Sequence, residues 1–261
     1  MKIRLASDIH LEFFKHNKLK SNLFNKIIPV MDSDKETVLV LAGDIHVGVK
    51  ALGFVTEMCE RFKAVIYVPG NHEYYRHNIN EVDDELSKWD IPNFHFLNPG
   101  TASIDGVKFV GATVWTDMRN GDPMVTSEAQ FSMNDFRQIY FYDDHERYKN
   151  FVPSHWLNLN RMHMDFFKNN ISENCVVVSH HAPSMRSVAQ KFKNRDTLLN
   201  HAYASNLDKF IFKSKPKLWL HGHVHNNNDY HIGDSRIVSN PYGYHNYEIN
   251  DDYDPSLVLE I

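Results

Sequence analysis

Five short apolar runs each end on a cluster of Asp, His or Asn, and this repeated grammar constrains the fold more than any other feature. Residues 3–6 lead into Ser7-Asp8-Ile9-His10, residues 37–42 into Gly43-Asp44-Ile45-His46, and residues 64–69 into Gly70-Asn71-His72-Glu73. Residues 175–178 lead into Ser179-His180-His181, and residues 217–220 into His221-Gly222-His223-Val224-His225. The runs are β-branched and bounded by turn residues, so they read as strands buried on both faces. In open α/β sheets a ligand sits outside the carboxyl ends of the strands, where the first loop residues are free to converge on it. Helical patterns fill the gaps. One covers 47–61, with a stripe at Leu52, Val55, Thr56 and Cys59; another covers 80–89. A third opens at Pro153-Ser154 and carries Trp156, Leu159, Met162, Phe166 and Phe167; a fourth covers 199–212. Alternating strands and helices predict α/β architecture. Further strands are expected at 107–115, 236–239 and 257–261. Residues 116–151 lack clean periodicity and are expected to be a cap or insert on one domain spanning 1–261.

Hydrophobic residues are 42% of the 261 and the net charge is −5, which allows a sizeable core and argues against a sequence-blind nucleic-acid coat. A nuclease with a local basic groove stays open. No apolar stretch approaches the ~20 residues needed to span a bilayer, and Lys2, Arg4, Asp8 and Glu12 interrupt the start too often for a signal peptide. Cys59 and Cys175 follow no metal spacing and read as reduced, partly buried thiols. A cytoplasmic protein without membrane partners is expected, its oligomeric state open.

Eight of the 17 histidines fall in the five clusters, so metal chemistry is the first reading to weigh. Asp8 and His10 are separated by one residue, as are His223 and His225; in an extended segment such pairs point to one side. Asp44 has two oxygens, enough to bridge two ions. Asn71 offers a neutral carbonyl oxygen, and His180 or His181 a nitrogen. Two carboxylates, one amide and four imidazoles suit Mn²⁺, Fe, Zn²⁺ or Ni²⁺ and are too nitrogen-rich for Ca²⁺ or Mg²⁺. That set exceeds one tetrahedral ion and fits two sharing Asp44; paired ions ~3.5–4 Å apart clamp the attacking and leaving oxygens of an in-line displacement. Gly43, Gly70 and Gly222 permit close backbone approach. Taken singly, Asp8 reads as a helix cap and Asp44 as a turn residue. His16, His77, His95, His145, His155, His163, His201, His231 and His245 read as ordinary core or surface histidines.

The ordered set SDIH, GDIH, GNHE, SHH and HGHVH resembles the calcineurin-like metallophosphoesterase superfamily. The resemblance implies a four-layer αββα sandwich of two mixed β-sheets flanked by helices. It implies a first metal on Asp8, His10, Asp44 and His225, and a second on Asp44, Asn71, His180 and His223, with Mn the first choice in vitro. His72 would protonate the leaving oxygen or stabilise the transition state, Glu73 would support His72, and a water or hydroxide bridging the metals would be the nucleophile. His180, first after its strand, is favoured over His181. The expected reaction is phosphodiester hydrolysis on a small nucleotide-like substrate. The alternatives are a phosphomonoesterase, including one acting on phosphoprotein, then a nuclease, then a binding scaffold. His46, His181, His221 and Arg137 are candidates for substrate contact or support of the ligands. Asp135 with Arg137 reads as a polar gate or a surface ion pair. Tyr74, Tyr75 and Arg76 line the cleft or pack a helix start, and Asn240 to Gly243 close one side of the site or simply turn.

Overall fold

The computed structural model describes residues 1–14, 21–142, 148–193 and 197–261. Its strands in chain order begin with β1 (Lys2–Ala6), β2 (Thr37–Ala42), β3 (Ala64–Val68), β4 (Phe94–Phe96), β5 (Gly100–Ile104) and β6 (Val107–Ala112). Then come β7 (Tyr140–Tyr142), β8 (Tyr148–Asn150), β9 (Val176–Ser179), β10 (Leu218–His221) and β11 (Asn228–Ile232). The last are β12 (Ser235–Ser239), β13 (Gly243–Tyr244), β14 (Glu248–Ile249) and β15 (Val258–Glu260). One sheet runs β15-β1-β2-β3-β4 and the other β11-β12-β10-β9-β6-β5. Parallel pairing joins β1 through β4, with β15 antiparallel beside β1. In the second sheet β12, β10, β9 and β6 are parallel, and the edges β11 and β5 are antiparallel. Both sheets are therefore mixed.

Alternation along the strands makes the layers. In β2, Val38, Val40 and Ala42 face the other sheet and meet Val176, Val178, Leu218 and Leu220. Leu39 and Leu41 face outward, onto Phe54, Val55 and Met58 of the helix Leu52–Arg61 and Val82 and Leu86 of the helix Ile79–Ser87. The far face of the second sheet, with Val110, Val177, Trp219 and Ile237, packs on Phe167 of the helix Pro153–Asn170 and Ile211 of the helix Asp208–Ser214. The order is helix, sheet, sheet, helix. Because both faces of the central strands are covered, their sequences show continuous apolar runs rather than alternation.

Several elements differ from their sequence outline for identifiable reasons. The second helix starts at Leu52 rather than residue 47, and Leu52 is 44% exposed because Phe54, Val55, Met58 and Cys59 form the buried face. The strand expected through Trp115 ends at Ala112, where its pairing with Ser179 stops. Beyond it the backbone is taken over by the long helix: His163 Nδ1 accepts from Val114 N–H at 3.2 Å and Asn160 Nδ2 donates to Trp115 O at 2.6 Å. Those two polar residues lie on the buried face of Pro153–Asn170, while Met162 is 59% exposed. The helix expected over 199–212 is two, Asn200–Tyr203 and Asp208–Ser214. It breaks because Ala204 bridges to Ala182 and Ser205 N–H donates to Ala182 O at 2.9 Å.

Within 116–151 the described residues form short helices, Met118–Gly121, Pro123–Ser132 and Asp135–Gln138, and the β7–β8 ribbon. Val125, Ala129 and Phe136 join the core outside the first sheet. Two backbone bonds tie this segment to the chain after His72: Arg76 N–H to Gln138 O at 2.6 Å and Tyr140 N–H to His77 O at 3.0 Å. Cys59 and Cys175 are free and buried. Among the described residues no helix is long and apolar enough to cross a membrane. His16 and His145 lie outside the described residues.

Candidate metal centre

The strands β1, β2 and β3 are neighbours in one sheet and β9 and β10 in the other, so the five polar clusters open at one end of the sandwich. The convergence of Asp8 with His10, and of His223 with His225, does not come from extended backbone. Asp8 (φ 52°), His10 (49°), Asp44 (57°), His223 (71°) and His225 (47°) are all left-handed. Non-glycine residues there cost about 1–3 kcal/mol each and persist only where surroundings over-determine them. The surroundings are a lattice of loop bonds. Asp8 N–H donates to Gly43 O at 2.9 Å, His10 N–H to Asp44 O at 3.0 Å, and His223 N–H to Asp8 Oδ1 at 3.0 Å. The glycines are part of it: a Cβ on Gly70 would overlap Asp44 Oδ1, and one on Gly43 the His180 ring.

The donor atoms form two groups that share Asp44. Around its Oδ2, His10 Nε2 lies at 3.7 Å; His10 Nε2 and His225 Nε2 are 3.3 Å apart, and His225 Nε2 is 3.4 Å from Asp8 Oδ1. Around its Oδ1, His180 Nε2 lies at 3.5 Å; that nitrogen is 3.0 Å from Asn71 Oδ1 and 3.1 Å from His223 Nδ1. Donors bonded to one ion at about 2.0–2.2 Å sit roughly 3 Å from one another, so both groups fit a divalent ion. The tautomers fit as well. His180 Nδ1 lies 3.0 Å from Ala42 O, which can only accept, and His10 Nδ1 lies 3.2 Å from Glu12 Oε1. Each arrangement places the ring proton on Nδ1 and leaves the Nε2 lone pair for a cation. His181 packs behind the centre: its ring lies against His223, Trp115 and Trp156, and its Nδ1 is 3.4 Å from Thr113 O.

Charge follows the same partition. Burial alone would raise Asp44, but the His180 and His72 imidazoles hold it well below the usual carboxylate range. Burial opposes the charging of His180 and His225; Asp44 and Asp8 overcome it, lifting them to about 9 and about 10. His223 and His181 are pushed well down by burial and by neighbouring imidazoles.

His72 adjoins this centre. Its Nδ1 meets Glu12 Oε1 at 2.9 Å, its Nε2 lies 3.2 Å from Tyr244 Oη, and its backbone N–H donates to Asp44 Oδ1 at 2.8 Å. Burial works against its protonation, but Asp44 and Glu12 raise its pKa. Glu12 drops to about 2, burial being outweighed by His10 and His72. The carboxylate beside His72 is thus Glu12 and not the expected Glu73. The Glu73 side chain accepts from the N–H of Asp44 (3.0 Å), Ile45 (2.7 Å) and Gly70 (2.7 Å) and from Tyr67 Oη (2.8 Å). Those bonds splice the β2 and β3 loops together and occupy both its oxygens.

The remaining candidates sort by contact. His221 is buried between Ser187 Oγ (2.9 Å) and Gly222 O (3.0 Å), an anchor within the second sheet's loops rather than a group facing the centre. His46 stands at the edge of the centre, its Nδ1 4.0 Å from Glu12 Oε2 and accepting from Val47 N–H at 2.7 Å. Arg137 is exposed and held by its own segment, by Asn134 Oδ1 at 3.2 Å and by Phe131 O. No ion pair with Asp135 forms, because Asp135 is buried and receives Tyr75 Oη–H at 3.2 Å. Burial lifts Asp135 to about 6. Tyr242 and Gly243 do close one side, donating their N–H groups to Ser7 O and Asp8 O at 2.9 Å. Three groups were missed. Glu12 had a signal, two residues beyond His10 in the same cluster. Tyr244, whose ring covers His10 at 4.3 Å, and Tyr203, stacked on His223 at 5.0 Å, had none.

A family profile for the calcineurin-like phosphoesterases matches residues 1–227, a span that contains all five clusters. An uncharacterized protein of Acanthamoeba polyphaga mimivirus, L509, is 26% identical over 281 aligned positions, which cover 99% of this chain and 96% of that one. The crystal structure of phosphopantetheinyl hydrolase from Mycobacterium tuberculosis superposes with a TM-score of 0.67 over 93% of this chain and 89% of that one. At 15% identity that is a likeness of fold. The chain belongs to the calcineurin-like phosphoesterase family and is a metal-dependent phosphoesterase.

Proposed function

We propose that this chain binds two divalent ions and hydrolyses a phosphodiester of a small, nucleotide-like molecule. Asp8, His10, Asp44 and His225 would hold one ion, and Asp44, Asn71, His180 and His223 the other; Mn²⁺, Fe, Zn²⁺ or Ni²⁺ suit these donors. Bound there, such ions supply Lewis acidity toward phosphate oxygens and a water nucleophile active at neutral pH. The chain itself is read as one domain, 1–261, with 116–151 as an insert.

The observation that carries this reading is His72, held between Glu12 and Tyr244 beside Asp44. Protonated, it donates from Nδ1 to Glu12, and Glu12 keeps Nε2–H aimed into the site. As the scissile P–O bond breaks, Nε2–H passes its proton to the leaving oxygen, and the imidazole recovers one from solvent. The other hydroxyls beside the centre, those of Tyr203 and Tyr244, are neutral. A wall of neutral donors suits the single charge of a diester better than the −1.5 to −2 of a monoester. Beyond Tyr244, Phe13 lies 5.1 Å away and Tyr247, 80% exposed, lies 5.6 Å from Phe13. That aromatic edge favours a flat organic group on the substrate.

The test uses protein loaded with Mn²⁺ against bis-p-nitrophenyl phosphate and p-nitrophenyl phosphate with an EDTA-treated control, and compares His72→Ala with wild type on an alkyl diester, whose leaving oxygen needs the proton. Diester turnover that EDTA abolishes is expected. Turnover of the monoester alone would replace the diesterase reading with a phosphomonoesterase, and turnover indifferent to EDTA would overturn the metal assignment.

A further inference from the structure

We infer that Asp135, carried by the 116–151 segment, decides which end of the Asn71 amide faces the metal centre, acting through Tyr75 as a positioning residue. The inference rests on the proposed ligand set, in which Asn71 offers its carbonyl oxygen.

An asparagine amide has an oxygen and an NH₂ of nearly equal shape, and only the oxygen can hold a cation. Its orientation is therefore set by hydrogen bonds. Asn71 Oδ1 points at His180 Nε2 (3.0 Å), and Nδ2 donates to Tyr75 Oη at 3.2 Å. Tyr75 alone does not fix that choice, since a phenol that donated to Oδ1 would accept the flipped amide equally well. The phenol has one proton, however, and Tyr75 gives it to Asp135 Oδ2 at 3.2 Å. A carboxylate only accepts. With its proton committed, the Tyr75 oxygen can only accept in turn, and Asn71 must present Nδ2 to it and Oδ1 to the centre.

Water does not scramble the chain of bonds, because Asp135, Tyr75 and Asn71 are 2%, 8% and 4% exposed. The second Asp135 oxygen, Oδ1, is buried with no hydrogen-bond partner, so the carboxylate sits where its one satisfied oxygen serves Tyr75. The segment is also bolted to the loop it orients, by Arg76 N–H to Gln138 O and Tyr140 N–H to His77 O. Partners of this kind behind a metal ligand are typically worth about 10–100-fold in metal affinity.

The test is calorimetric titration of metal-free protein with Mn²⁺, with bound metal counted by elemental analysis. Wild-type protein should take up two ions. Asp135→Leu, similar in shape but without an acceptor, and Tyr75→Phe should each weaken one ion by about 10–100-fold and leave the other unchanged, the unchanged ion reporting an intact fold. Asn71→Asp presents oxygen at both ends, so adding Asp135→Leu to it should change Mn²⁺ affinity by less than about twofold. Two ions bound to Asp135→Leu as tightly as to wild type would overturn the inference. So would loss of both ions together, or an undiminished effect in the Asn71→Asp background, since either marks a general structural role. A wild-type protein that takes up fewer than two ions would overturn the ligand set and the inference with it.

Discussion

A buried imidazole is worth to an enzyme what its partners make of it, and four histidines illustrate the range. His72 is raised by Asp44 and Glu12 against the effect of burial, so its acid form persists above the ordinary histidine range. Glu12→Gln removes one of those charges. The alkaline limb of kcat/KM should then move to lower pH, and kcat should fall about 10–100-fold for an alkyl diester but little for a p-nitrophenyl one, whose leaving group needs no proton. Equal loss for both esters would mean that Glu12 serves binding rather than proton transfer. His163 behaves oppositely: burial pushes it down to about 4. In the unfolded chain it protonates near 6.5, so the folded state loses stability as pH falls from about 6.5 to about 4, by up to ~3 kcal/mol. His163→Asn keeps an acceptor for Val114 N–H and should flatten that part of the melting-temperature profile. His180 and His181 are adjacent yet differ in neighbours: His180 Nε2 meets Asn71, Asp44 and His223 Nδ1, while the His181 ring packs on two tryptophans and the His223 ring. His180→Ala should reduce bound Mn²⁺ more than His181→Ala does, as measured by metal analysis.

At the scale of the element, the strand–loop unit carries the chemistry. Each central strand is covered on both faces, so polar function starts only where the ladder stops. There the chain turns at once, through left-handed backbone and through glycines that leave room for neighbours. Gly70→Ala would drive a methyl group into Asp44 Oδ1, and the variant should lose tight Mn²⁺ binding. Gly53 is the control. It lies in the helix Leu52–Arg61 with nothing near its added Cβ, so Gly53→Ala should stabilise the fold by about 0.5–1 kcal/mol without affecting metal.

At the scale of the whole molecule, the two sheets meet so that loops from both converge on one small volume. Asp8, Asp44 and the imidazoles around them are almost fully buried, and charges in such a place are costly unless paired. Divalent ions would complete the pairing, so metal binding and folding should be linked. At a free concentration near 100 Kd each ion adds about 2.7 kcal/mol, or roughly 5–10 °C in Tm for a chain this size. EDTA should lower the melting temperature by that order, Mn²⁺ should restore it, and Asp44→Ala, which removes the shared carboxylate, should abolish the response.

The sequence alone determined what is local or repetitive. Apolar runs marked the strands because burial on both faces leaves no room for polar alternation, and the clusters after them supplied Asp8, His10, Asp44, Asn71, His72, His180, His223 and His225 as one chemical set. The fold class followed from the same runs and from the motif resemblance. Tertiary structure decided the rest, because it depended on residues with no local pattern. The left-handed backbone at five of the clustered residues is imposed by bonds from other loops. Glu12 stands beside His72 from 60 positions away, and Tyr244 reaches it from 172. Glu73, adjacent in sequence to His72, turns to the loop amides. Asp135 reaches Tyr75, and through it Asn71, only because its segment folds back onto the third strand's loop. Periodicity records which face of an element is buried; it holds no record of which distant side chain fills the last 3 Å, and that is where the proton and the metal are placed.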